Sequence, residues 1–207
     1  MTRETLIETL IPQKRIERFR TVAAQRIQGL TAVYDGVHDP HNISACIRSA
    51  ESFGLMEVHH LLPRRLRSNR KISANADQWI ETHSYDSEGE LLGRLQGEGY
   101  TLVGAVPTLD AIPFYEIEIP EKLALVFGAE KWGIRKEVQE HCSAFVQIPM
   151  MGFTESLNIS TAHAILVQYF AQAFRKRSTG LVSQQRRDAL IDYWIDRELR
   201  KKMRQAH

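Results

Sequence analysis

TAVYDGVHDPHNISACIRSAESFGLMEVHHLL (31–62) is the stretch on which the fold turns. TAVYDGV has the β-branched and aromatic texture of a strand, and HDPHN, with its proline, reads as a loop. Asn42 is placed to cap a helix in which Ile43, Cys46, Ile47 and Ala50 form one apolar stripe, and Gly54 ends it. EVHHLL (57–62) then reads as a second strand. Strand, helix and strand in succession make a unit of parallel sheet, because the helix carries the chain back to the end from which it started.

The alternation continues outward. TLVGAV (101–106), KLALVFG (122–128) and AFVQIP (144–149) are further strand-like runs. Helical patterns separate most of them, including ELLGRLQGEG before position 101 and IRKEVQEH after Gly133. A long helix is expected over 156–177, leading through Thr179-Gly180 into a helical tail. On the other side, Ile16, Phe19, Val22, Ala23 and Ile27 recur at near-helical spacing, and Pro12 breaks that helix into two pieces. The reading is one α/β domain over 31–177, a mainly parallel sheet with helices on both faces. Helical extensions occupy 1–30 and 178–207.

Charge divides the chain in the same way. Residues 1–30 carry six Lys/Arg against three Asp/Glu, and residues 175–207 carry ten against four. The intervening part carries eleven against eighteen. Basic ends around an acidic body suggest a polyanion held by the appendages, with solvated helix faces as the plain alternative. Candidate phosphate contacts are Arg175, Lys176, Arg177, Arg186 and Arg187, together with Arg64, Arg65, Arg67, Arg70 and Lys71 in the one basic run of the middle, PRRLRSNRK. No run approaches the ~18 apolar residues of a membrane span. The start, MTRETLIETL, has acids and no apolar segment of a secretory signal. Cys46 and Cys142 cannot make a disulfide framework, so a reducing cytoplasm is expected.

Several chemistries lack their motif. There is no phosphate loop, no dinucleotide turn and no G-x-S-x-G nucleophile elbow. His59 and His60 are adjacent on a strand and point to opposite faces, and no acid or cysteine cluster supports His38 and His41, so no metal is expected. Three polar loops remain, each at the carboxyl end of a strand: DPHNISACIRSAESFGL (39–55), LVFGAEKWGI (125–134) and IPMMGFTESLNIS (148–160). Ligands of open α/β sheets bind at those ends, so the three loops can converge on one pocket.

The same three segments carry a family resemblance. N-x-S-A-x-x-R-[ST]-A from Asn42 to Ala50, then F-G-A-E-K-x-G, then I-P-M-x-G…S-L-N-x-S, resemble in order and spacing the signatures of the SpoU/TrmH family of SPOUT RNA 2′-O-methyltransferases. The resemblance covers about 31–175, and the helical ends with V-H-D-P-H-N are similar to the tRNA-modifying branch, which methylates a D-loop guanosine. It implies a homodimer with a C-terminal trefoil knot, S-adenosylmethionine as methyl donor and tRNA as substrate, with no DNA or membrane partner. Ribosomal RNA, another tRNA site and a non-catalytic RNA-binding role are the alternatives. It further implies donor contacts at Ala105, Gly128, Ile148 and Leu157, Arg48 as the catalytic arginine, and Asn42, Glu130, Ser156 and Asn158 as its polar support.

Overall fold

In the computed structural model, which describes residues 2–61, 76–108 and 110–205, seven strands form one sheet in the order β3-β2-β1-β6-β4-β7-β5. Every pairing is parallel. The strands are β1 (Leu30–Asp35), β2 (Glu57–Leu61), β3 (Glu81–Tyr85), β4 (Thr101–Ala105), β5 (Ile112–Pro113), β6 (Leu123–Gly128) and β7 (Cys142–Gln147). The helices are α1 (Arg3–Leu10), α2 (Gln13–Ala23), α3 (Pro40–Ser52), α4 (Glu88–Gly97), α5 (Lys136–Gln139), α6 (Ile159–Arg175) and α7 (Gln184–Gln205).

Side chains of the central strands alternate between two cores, as the two-residue period of a strand requires. Ala32 and Tyr34 of β1, with Leu125 and Phe127 of β6, join Ile43, Ile47, Leu166 and Phe170 from α3 and α6 on one face. Val33, Ala124 and Val126 face the other way, against Leu91 and Leu95 of α4 and Val138 of α5. Helices therefore cover both faces.

A third core lies apart from the sheet. Ile11, Ile16, Phe19 and Ala23 from the N-terminal helices pack with Trp194, Ile195 and Leu199 of α7. Arg26, 1% exposed, fastens this bundle to the body: its guanidinium donates to the Glu51 and Leu55 carbonyls, to the Glu51 carboxylate at 2.8 Å and to the Trp79 carbonyl at 2.9 Å.

Several expectations need correction. Asp39, not Asn42, caps α3, accepting from the His41 amide, because Pro40 is suited to the first helical position and the helix starts there. The long helix begins at Ile159 with Asn158 as its cap, so 156–157 stay in the preceding loop. IRKEVQEH yields only the single turn of α5. Two strands had no strand-like pattern: β3, ETHSY, is an edge strand with largely exposed polar side chains, and β5 is two residues long. Among the described residues no helix is long and apolar enough to cross a membrane.

Candidate active site

Three strand-end loops meet at one end of the sheet, those after β4, β6 and β7. Of the three segments expected to converge, 125–134 and 148–160 line the cavity, whereas 39–55 does not and the loop after β4 stands in its place. The loop after β4 contributes Ala105, Val106 and Pro107, the turn after β6 contributes Gly128 to Glu130 and Gly133, and the segment after β7 contributes Ile148, Met150, Ser156 and Leu157. Together with Ile159, Ala162 and Leu166 from α6 they enclose a cavity of about 440 Å³. All four proposed donor contacts, Ala105, Gly128, Ile148 and Leu157, line it, as do Glu130, Ser156 and Asn158.

The turn at 129–133 is closed by two reciprocal backbone hydrogen bonds, Ala129 N–H to the Gly133 carbonyl at 3.1 Å and Gly133 N–H to the Ala129 carbonyl at 2.7 Å. Closure brings Gly128 against the Gly133–Ile134 peptide so tightly that a Cβ on Gly128 would lie 2.0 Å from the Gly133 carbonyl carbon. Only glycine fits there. The far side of the turn is held by Asp35, fully buried at the end of β1, which accepts from the Arg135 amide and from its Nε, both at 2.7 Å.

One hydrogen-bonded chain ties the loops after β6 and β7 to α3. Asn158 caps α6 through Oδ1, which accepts from the Ser160 amide at 2.8 Å and from the Ser160 hydroxyl at 2.6 Å. Its Nδ2 donates to Asn42 Oδ1 at 3.1 Å, and Asn42 Nδ2 donates in turn to the Glu130 carboxylate. Each amide thus uses both its ends, so the orientation of all three residues is fixed together. Glu130 engages Asn42 rather than Arg48. Arg48 is exposed on α3, does not line the cavity and has no polar partner among the described residues.

The proposed RNA contacts divide into three groups. Arg64, Arg65, Arg67, Arg70 and Lys71 lie outside the described residues. Arg175 and Arg177 are engaged within the chain: Arg175 donates to the Phe53 carbonyl at 2.6 Å, and Arg177 to the Ile119 and Pro120 carbonyls at 2.6 and 2.7 Å. A cation late in α6 finds the chain's own carbonyls within reach, which a count of charges does not reveal. Lys176 and Arg186 are exposed, Arg186 lying 3.8 Å from Glu81, and Arg187 donates to the Val182 carbonyl at 2.9 Å.

The histidine pair separates as its strand position requires. His59 stacks near His83 and Tyr85, and His60 packs against Tyr34. Near His59, Glu57, Glu81 and His83 gather with ligand atoms within 4.8 Å, a grouping that no spacing along the chain announces. The Glu57 carboxylate is already paired with Arg94 and with His83, each at 2.9 Å.

An open parallel sheet with a cavity at the carboxyl ends of its strands, apolar but for Glu130, Ser156 and Asn158, defines an α/β ligand-binding fold. The SpoU rRNA methylase family matches residues 29–168, and the chain belongs to that family of methyltransferases. The tRNA (guanosine(18)-2′-O)-methyltransferase of Escherichia coli (strain K12) is 32% identical over 165 residues, covering 79% of this chain and 72% of that one. The 23S rRNA (guanosine-2′-O-)-methyltransferase RlmB of Xanthomonas campestris is 35% identical over 149 residues, covering 70% of this chain and 59% of that one. Among solved structures, the TrmH/SpoU tRNA modifying enzyme of A. aeolicus superposes with a TM-score of 0.79 at 25% identity, over 90% of this chain and 97% of that one.

Proposed function

We propose that this protein transfers the methyl group of S-adenosylmethionine to a ribose 2′-hydroxyl of tRNA, at guanosine 18 of the D-loop. The observation that carries the reading is the strand-end cavity joined to the Asn158–Asn42–Glu130 chain. The lining fits the donor: the volume suits a nucleoside-sized molecule, and an adenine ring asks for apolar walls and backbone hydrogen bonds such as Ala105, Gly128, Ile148 and Leu157 offer. When bound, the donor supplies an electrophilic methyl group on a sulfonium. Everything else falls to the chain, which must align the ribose oxygen with that methyl and exclude competing poses. A guanidinium is a fixed charge and a poor proton acceptor, so Arg48 serves to grip the neighbouring phosphate or the developing alkoxide, rather than as a base. Asn42, Glu130 and Asn158 hold α3 and the loops after β6 and β7 in one geometry, and Ser156 shapes the donor side.

The same reading assigns catalysis to 31–177 and RNA affinity mainly to the basic termini, with Arg64–Lys71 as the contact within the domain, in a cytoplasmic homodimer. It includes the trefoil knot that the family resemblance implies. Trp132 (77% exposed), Met151 (91%) and Phe153, on the loops around the cavity, support an assembly in which that rim is covered. On α6, Leu166 and Phe170 lie in this chain's own core and Tyr169 packs on Phe114, which leaves Ile165 facing outward as a candidate dimer contact. A second reading, methylation of ribosomal RNA, draws on the similarity to the Xanthomonas enzyme.

Transfer of tritium from labelled donor to unmodified tRNA, set beside ribosomal RNA, with mapping of the methylated nucleotide, decides between them. Label in guanosine 18 is expected; label in ribosomal RNA alone would move the assignment. Arg48→Ala should lower the rate ~100–1000-fold, the cost of one transition-state charge contact, while donor affinity measured by calorimetry holds.

A further inference from the structure

One polar chain crosses the buried layer between the sheet and the helices α3 and α6. The Tyr34 hydroxyl lies 2.9 Å from His163 Nε2, and the Ser49 hydroxyl 2.8 Å from His163 Nδ1. Tyr34 and His163 are wholly buried. Ser49 Oγ also lies 3.0 Å from the Cys46 carbonyl and 3.2 Å from that of Ala45.

Carbonyl oxygens only accept, so the Ser49 proton goes to them and Oγ is left to accept from His163 Nδ1–H. Nε2 then has a lone pair for the Tyr34 O–H. One tautomer satisfies every polar atom in the chain, and burial keeps the imidazole neutral, its pKa pushed down to about 3. A polar network of this kind is costly to bury, and apolar side chains of similar volume would fill the same space.

What the network provides is a second pin between α3 and α6. The first is Asn158 to Asn42, at the N-terminal ends of the two helices. The second, Ser49 to His163, lies seven residues farther along α3, about 10 Å at 1.5 Å per residue. One pin permits one helix to pivot on the other; two set both position and rotation. The second pin sits beside both parts of the proposed machinery. Ser49 follows Arg48 in the chain, and Tyr34 precedes Asp35, which clamps Arg135 beyond the 129–133 turn.

We propose that His163 is a positioning residue for methyl transfer, locking α3 against α6 and β1 so that Arg48 meets the ribose in register with the donor cavity. The proposal rests on the reading of Arg48 given above.

Ser49→Ala and Tyr34→Phe each remove one hydrogen bond and spare the fold better than a change at His163 itself. Each should lower kcat about tenfold, since displacement of a reacting group by ~1 Å can cost ~100-fold. The donor Kd, the KM for tRNA and the fraction folded should stay near wild type. Ser49→Thr, which keeps the hydroxyl, should restore the rate, and the Ser49→Ala/Tyr34→Phe double variant should fall short of additive. Independently of activity, the ¹⁵N shifts of the His163 ring should report a protonated Nδ1 and a bare Nε2 at neutral pH. Full kcat in folded Ser49→Ala and Tyr34→Phe, beside an inactive Arg48→Ala, would reduce the network to core packing and leave the functional reading intact. A fully active Arg48→Ala would instead remove the reading on which the proposal stands. A bare Nδ1 would overturn the hydrogen-bonded chain itself.

Discussion

Gly128 shows how much of the site one residue can decide. A methyl group there would overlap the Gly133–Ile134 peptide at 2.0 Å, and that neighbour is backbone, unable to turn aside as a flexible side chain could. Gly128→Ala should therefore open the 129–133 turn, costing about 1–3 kcal/mol as overpacking does. Donor affinity by calorimetry should weaken more than ~tenfold, since 1.4 kcal/mol corresponds to that factor; unchanged affinity would mean that the turn does not shape the cavity. Glycine at this point, like Glu130, Ser156 and Asn158 on the loops after β6 and β7, was legible in the sequence, because motif and position agreed; that 39–55 stays off the cavity wall was not. The linkage Asn158–Asn42–Glu130 was not, nor was Tyr34–His163–Ser49. Each joins three elements, and no spacing along a chain encodes which side chains meet across a sheet.

Among the elements, α7 has two faces with separable roles. Its apolar face, Trp194, Ile195 and Leu199, completes a core with Phe19 and Ile16, and Trp194 lies 5.9 Å from Phe19 and 6.0 Å from Trp79, centroid to centroid. Its acids also pair with the N-terminal helices, Arg3 with Asp192 and Asp196, and Arg15 with Glu198. Deleting α7 would strip that core, so a truncation confuses stability with RNA affinity. Trp194→Ala should destabilise by about 3–5 kcal/mol, read from denaturant unfolding. Arg200, Lys201 and Arg204, exposed on the same helix, separate the two roles. Neutralising all three as glutamine should leave the melting temperature near wild type and flatten the salt dependence of tRNA binding, by ~0.7–0.9 in the log–log slope for each phosphate no longer neutralised. An unaltered slope would assign α7 to stability alone. Element existence was readable wherever an apolar stripe recurred, as in α3, α4 and α6. It failed for β3, whose edge position demands no apolar face, and for β5, two residues long.

At the scale of the molecule, three buried histidines set the response to acid. Burial holds His163 and His59 at about 3 and His60 at about 4, whereas an unfolded chain titrates them near 6.5. Within that interval the unfolded state binds more protons, so stability is full above about pH 6.5 and declines as pH falls, each histidine contributing up to about 1.4 kcal/mol per unit. Denaturant midpoints between pH 7.5 and 5 should fall accordingly, and a flat profile would contradict neutral burial. Assembly is checked at this scale too: sedimentation at micromolar concentration should show twice the 23.8 kDa of one chain, and a fully active monomer would overturn the dimer. The strand order carries a further consequence, for synthesis. β1, β2 and β3 leave the ribosome first and pair among themselves, yet the other edge of β1 is filled by β6, which begins at Leu123. β4 emerges earlier but borders β6 and β7 in the finished sheet, not β1. Until β6 arrives, the nascent chain exposes the edge of β1 and a separate β4 with no native strand between them. That is the interval in which a growing polypeptide is most open to mispairing or aggregation, and in which a chaperone has most to protect.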